Sequence, residues 1–215
     1  MRFTLVDRIL ELQPGFKITT VKSLSLAEEY LADHFPRFPV MPGVLMLEAM
    51  THAGAWLVRA SEDFAHSVVV LKEARNVKYG AFVKPGQVLT ISAEILKQDA
   101  RDTQFKVRGT VDGNVAVSGR LVLERFNLAD ERPEMAATDA HVRKSMRELF
   151  AVLYTPPEFS GSAAENQLVE SAAVAGARLA SGRGHANGAS ASHVNAPHST
   201  STVATGARAS NQPAS

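Results

Sequence analysis

The chain has 215 residues, a formal net charge of +1 and no cysteine. That length fits one large domain or a domain with a tail, and the near-neutral charge argues against a dedicated nucleic-acid binder. Without cysteine there are no disulfides and no thiolate chemistry, which leaves the cytoplasm as the default compartment.

The N-terminus, Met1-Arg2-Phe3-Thr4-Leu5, has no long apolar run of the secretory kind, and an acidic residue arrives as early as Asp7, so no targeting segment is expected. A short helix or turn is predicted first. Gln13-Pro14-Gly15 then forms a turn, and residues 16–22 alternate as a half-buried strand does.

The next segment carries the chemistry. In His34-Phe35-Pro36-Arg37-Phe38-Pro39-Val40-Met41-Pro42-Gly43, three prolines restrict φ and bias their predecessors toward extended backbone, so a loop is predicted. Helix can begin at Pro42 or Gly43, because proline is tolerated in the first turn. Residues 44–58 are apolar on nearly every face, as in a helix surrounded by protein. Glu48, His52 and Arg59 make this stretch a poor membrane span.

A carboxylate on a buried helix is rare unless it is paired or functional. Glu48 either pairs with His52 one turn later as a structural couple or acts with His34, which alone reads as a surface histidine. The backbone N–H groups at the Pro42-Gly43 helix start favour the second reading. They form an anion site suited to the oxyanion of an enolised thioester.

Strands are predicted over 68–71, 88–96, 103–111 and 115–125, with a hairpin around Asp99–Asp102 and an Asp112-Gly113 turn. One buried helix with mostly antiparallel strands is an α+β layout. Residues 139–153 have Val142, Met146, Leu149, Phe150 and Leu153 at helical spacing, and Pro156-Pro157 ends that stretch. From Gly161 onward Ala, Ser, Gly, Thr and Asn dominate without an aromatic residue, which predicts a disordered tail. His185, His193 and His198 fit no familiar metal spacing and read as solvated linker residues.

The His34–Glu48 segment resembles the signature of the hotdog-fold 3-hydroxyacyl-acyl carrier protein dehydratases of the FabZ type: a His-Phe-Pro loop, Pro-Val-x-Pro-Gly-Val-Leu, then a helix glutamate. The likeness extends to Leu5–Leu10, Phe82–Leu89 and Thr110–Ala116, covering residues 1–126. Arg37 and Phe38 stand where the family has a glycine and a variable residue. His52 replaces a glutamine and Gln87 an aspartate.

The resemblance implies an antiparallel sheet wrapped around a long buried central helix in residues 1–126. An added helical segment over 127–159 and a low-complexity tail over 160–215 follow from composition. It further implies a hydro-lyase that converts (3R)-3-hydroxyacyl thioesters on acyl carrier protein into trans-2-enoyl thioesters, in fatty acid or related lipid biosynthesis. His34 is then the base and Glu48 the acid. Gly43 and Val44 serve the oxyanion and substrate, with His52 and Pro42 in support. No metal or redox cofactor is needed, because elimination moves only a proton and a hydroxyl.

The expected assembly is a homodimer, or a higher oligomer of dimers, in which the histidine of one subunit faces the glutamate of the other. Arg37, Lys78 and Lys84 fall in segments resembling the tunnel mouth, where they either steer an acidic carrier protein or belong to an ordinary charged surface. Tyr79 and Phe82 read as core or tunnel wall. Two alternatives stay open: a hotdog acyl thioesterase that uses Glu48 without His34, and an acyl-binding subunit whose site has drifted at Arg37, Phe38 and His52.

Overall fold

The structure, a computed structural model, describes residues 4–156; the tail and its three histidines lie outside the described residues. Six strands form one antiparallel sheet: β1 (Arg8–Gln13), β2 (Lys17–Ser23), β3 (Val68–Tyr79), β4 (Val88–Gln98), β5 (Asp102–Val111) and β6 (Asn114–Phe126). Their spatial order is β1-β2-β4-β5-β6-β3. Helix α1 (Gly43–Ser61) lies against this sheet, and helix α2 (Ala136–Leu153) follows β6. This is the predicted α+β layout, in the hotdog arrangement that the resemblance implies.

Strands β2 and β5 bury every second residue, so one face of the sheet is apolar and the other is open. Ile18, Leu89, Ile91, Phe105, Val107, Leu121 and Leu123 pack with Met46, Met50, Ala53 and Leu57 of α1 in one core. Gly54 marks the close approach of helix to sheet. A Cβ there would stand 3.0 Å from Leu123 Cδ1 and 3.6 Å from the Phe105 ring. The β5–β6 hairpin turns on Asp112 (φ 51°) and Gly113 (φ 80°), the left-handed pair that matches strand twist.

Two predicted elements need correction. Residues 8–13 form strand β1, not a helix or turn: Ile9 is buried, and the segment pairs in antiparallel register with β2 across the Pro14-Gly15 turn. Strand β3 runs to Tyr79, well past Leu71. Its second half is charged and exposed because it forms the outer edge of the sheet, with only β6 beside it.

Helix α2 is latched by Asp139, which is 1% exposed. Its carboxylate accepts hydrogen bonds from the Ser67 hydroxyl, from Leu128 N–H (3.0 Å) and from Ala129 N–H (2.8 Å). Arg143 donates to Asn127 Oδ1 (3.0 Å), and Arg147 reaches Asp63 just past the end of α1. Phe150 closes the contact, with ring centroids 6.0 Å from Trp56 and 5.4 Å from Phe64.

Burial opposes ionisation of Asp139, yet the donors from Ser67, Ala129 and Leu128 hold its carboxyl below the ordinary range. A carboxyl depressed in the folded state stabilises above its unfolded pKa, and that contribution is lost as pH falls through the lowered value. Trp56, the sole tryptophan, reports on the contact. Acidification, or Asp139→Asn at neutral pH, is expected to release α2 and shift Trp56 emission to the red before the sheet unfolds. A single transition shared with far-UV circular dichroism in both cases would contradict a separable latch.

Candidate active site

His34 sits in a loop clamped on itself. Val40 N–H donates to the His34 carbonyl (3.1 Å), and Phe35 and Phe38 exchange backbone hydrogen bonds of 3.3 and 3.0 Å. The His34–Phe35 peptide is cis, and the two rings stack at 4.2 Å. At one end Met41 N–H bonds to the Val83 carbonyl (2.9 Å), fixing the loop to the segment before β4.

The imidazole is oriented by the same clamp. Its Nδ1 lies 2.9 Å from the Val40 carbonyl oxygen. A carbonyl can only accept, so Nδ1 carries the hydrogen, and in neutral His34 the free lone pair is on Nε2. The ring lines a cavity of about 340 Å³ with Met41, Gly43, Met46, Tyr79 and Phe82.

Gly43 is the first residue of α1, after Pro42 as N-cap. The amides of Gly43 and Val44 belong to the first turn, which lacks intrahelical acceptors, and they find none among the described residues. Gly43 also leaves room for Tyr79, whose ring carbons would lie 3.1–3.2 Å from a Cβ at this position. The cavity thus pairs a basic nitrogen with a helix N-terminus. The Val44 side chain is 69% exposed and lines neither this cavity nor the next. Tyr79 and Phe82 are exposed cavity walls, not core.

Glu48 lies elsewhere. With His52 and Thr51 it lines a second cavity of about 460 Å³, which also touches Leu5, Trp56 and Arg59. Its side chain is 46% exposed in the single chain, so it is not the fully buried carboxylate that the apolar helix predicted. The expected i,i+4 contact is present, with His52 Nε2 at 3.1 Å from Glu48 Oε1. One chain therefore holds His34 and Glu48 in separate cavities.

Burial pushes the His52 pKa down, Glu48 pulls it up, and Arg59 pushes it down again; the net direction is downward, so the ring is neutral at pH 7. Neutral histidine can hydrogen-bond the carboxyl much as a glutamine amide can. Among the described residues no cluster of three or more His, Asp or Glu could hold a metal, and no helix is long and apolar enough to cross a membrane.

The departures in the loop do not fill the His34 cavity. Phe38 packs edge-on against Phe82 (5.5 Å) with Lys84 Nζ 5.4 Å from its ring, and neither Arg37 nor Phe38 lines the cavity. Gln87 accepts from Lys84 N–H (2.8 Å) and donates to Asp112 (3.0 Å), a short polar turn that serves the strand entry. Sequence reasoning missed the Val40 carbonyl, a backbone atom that leaves no residue signature. It also missed Arg59, which read simply as the end of the helix.

The family model described as a FabA-like domain matches residues 1–124. The 3-hydroxyacyl-[acyl-carrier-protein] dehydratase FabZ of Ruminiclostridium cellulolyticum is 41% identical over 119 residues, covering 55% of this chain and 84% of the relative. Its counterpart from Oceanobacillus iheyensis is 37% identical, covering 55% and 85%. Among solved structures, the dehydratase heterocomplex ApeI:P from Xenorhabdus doucetiae aligns with a TM-score of 0.51 at 21% identity, over 62% of this chain and 90% of that one, a likeness of fold. The chain belongs to the FabA-like family of hotdog-fold hydro-lyases, and within it to the 3-hydroxyacyl-acyl carrier protein dehydratases of the FabZ type.

The coupling of His52 to Glu48 is open to direct measurement. In a ¹⁵N NMR titration of the histidine side chains, His52 is expected to titrate below the ordinary histidine range. Glu48→Gln removes the neighbouring negative charge and should lower that midpoint further. A midpoint that rises in the variant would contradict the assignment.

Proposed function

We propose that the protein dehydrates (3R)-3-hydroxyacyl thioesters of acyl carrier protein to trans-2-enoyl thioesters, serving fatty acid or related lipid biosynthesis. The observation that carries the reading is the His34 ring, with Nδ1 bound to the Val40 carbonyl and Nε2 free in a cavity that begins at the open N-terminus of α1. The FabZ-type relatives supply the reaction class.

In this mechanism the thioester carbonyl accepts a hydrogen bond from Gly43 N–H, helped by the first-turn amide of Val44. His34 Nε2 removes the C2 proton, and the electron pair moves into the carbonyl, where the amides stabilise the developing oxyanion. As the pair returns, the C3–O bond breaks and Glu48, protonated in the substrate complex, gives that proton to the departing hydroxyl, which leaves as water; the C2 proton held by His34 then passes back through water to restore the starting state. The double bond forms between C2 and C3. A positioned base and a preorganised N–H donor each contribute on the order of 10²-fold.

His34 and Glu48 must meet for this, and within one chain they line different cavities. We infer that the site is completed by a second copy, His34 of one subunit facing Glu48 of the other in a homodimer. Strand β3 supports this reading: it is one of the two open edges of the sheet, and its Val70 lines the Glu48 cavity. The exposed Lys78 and Lys84 near the His34 cavity offer positive charge to an acidic carrier protein.

The test is product analysis on a 3-hydroxyacyl-carrier-protein substrate in wild type, His34→Ala and Glu48→Gln. Wild type should generate enoyl absorbance, and each variant should lose on the order of 10²-fold or more while keeping its fold. Release of free acid that survives His34→Ala would identify a thioesterase. A wild type that binds the acyl carrier without turnover would identify an acyl-binding subunit.

A further inference from the structure

The Glu48 cavity does not end at the carboxylate. Glu48, His52, Ala55 and Arg59 follow one another at helical spacing, so a single stripe of α1 runs along its wall. At 1.5 Å rise per residue, the α-carbons of Glu48 and Arg59 stand roughly 16 Å apart. Around that stripe the wall is mostly apolar: Val69, Val70 and Leu71 of β3, with Met146, Leu149 and Leu153 of α2. Helix α2 begins at Ala136, beyond residue 124 where the family match ends, so this part of the wall lies outside the matched domain.

Arg59 is out of keeping with that lining. Among the described residues it makes no hydrogen bond and no ion pair. Its Nε is buried without an acceptor, and its guanidinium carbon stands over the Trp56 ring, 5.8 Å from the centroid. Burial lowers its pKa to about 10, which leaves it cationic at neutral pH. A cation held in a largely apolar cavity is stabilised by a hydrogen-bonded counter-charge, and a planar guanidinium is shaped for a carboxylate.

Taking as given that Glu48 acts at the reacting carbon, we propose that this cavity holds the distal part of the acyl chain and that Arg59 binds a carboxylate at its far end. The occupant is thus an acyl thioester carrying an acid group remote from the thioester. The apolar walls from β3 and α2 enclose its methylene chain, while Arg59 supplies two parallel N–H donors to the carboxylate oxygens. Arg59 is here a specificity-determining residue, remote from the bond that breaks.

The experiment uses the full chain and matched pairs of 3-hydroxyacyl-carrier-protein substrates of equal length, one ending in a methyl group and the other in a carboxylate. The quantity read is the ratio of kcat/KM within each pair, in wild type and in Arg59→Met. Taking the ratio within one variant cancels any effect of the substitution on His52. Wild type is expected to favour the carboxylate-ended chain by roughly 10- to 100-fold at the length that reaches Arg59, and Arg59→Met to remove that preference.

A wild type that favours the methyl-ended chain at every length overturns the proposal, and that comparison requires no variant to fold. An unchanged ratio in Arg59→Met overturns it as well. If that variant instead dissociates the dimer with the ratio intact, Arg59 pairs with an acid of the second copy. Turnover of 3-hydroxybutyryl-carrier protein, too short to reach Arg59, separates the two readings. Its absence in wild type defeats the dehydratase assignment itself, whereas its presence without discrimination defeats the Arg59 assignment alone.

Discussion

The seating of α1 on the sheet is the constraint from which the rest follows. Gly54 permits the helix to lie against Phe105 and Leu123 at a distance that a side chain at this position would disturb. Met46, Met50, Ala53 and Leu57 then face the strands. Once that rotation is set, Glu48, His52 and Arg59 are left on the wall of one cavity, while the N-terminus of α1 opens into another beside His34. Burial of an apolar helix, worth about 25 cal/mol per Å² of surface removed from water, thus decides where polar chemistry can occur.

The polar groups are held by local means. The His34 loop is closed by hydrogen bonds among its own residues, with Val40 both donating to the His34 carbonyl and accepting from its ring. That arrangement sets the tautomer without a carboxylate partner. On the other cavity, His52 stays close to Glu48 as a neutral hydrogen-bonding group, because burial outweighs the attraction of the carboxyl for a proton on the ring.

Much of this was legible in the residues. Prolines at 36, 39 and 42 act on their own backbone, so both the loop and the start of α1 could be read locally. The Asp112-Gly113 hairpin was equally plain, since the left-handed pair is a property of those two residues. Strand β1 and the outer half of β3 were not. Both are edges, rich in charged residues, and their extension is decided by pairing with distant strands rather than by periodicity. His34, Glu48, Gly43 and His52 could all be named as candidates from the sequence, but their division between two cavities depends on tertiary packing. The amphipathic pattern of residues 139–153 announced a helix, yet not that its side chains meet the Glu48 cavity, because helical spacing says nothing of which surface receives the apolar face.

That division makes the central claim testable without any assumption about substrate length. His34→Ala and Glu48→Gln chains, each inactive alone, are mixed, unfolded and refolded together, and dehydration is assayed. If each site draws His34 from one copy and Glu48 from the other, half of the mixed dimers' sites are intact. Random pairing of equal amounts then restores activity to about a quarter of wild type. Activity that stays at the level of the separate variants, with mixed dimers shown to have formed, would place both residues of each site in one chain and contradict the account.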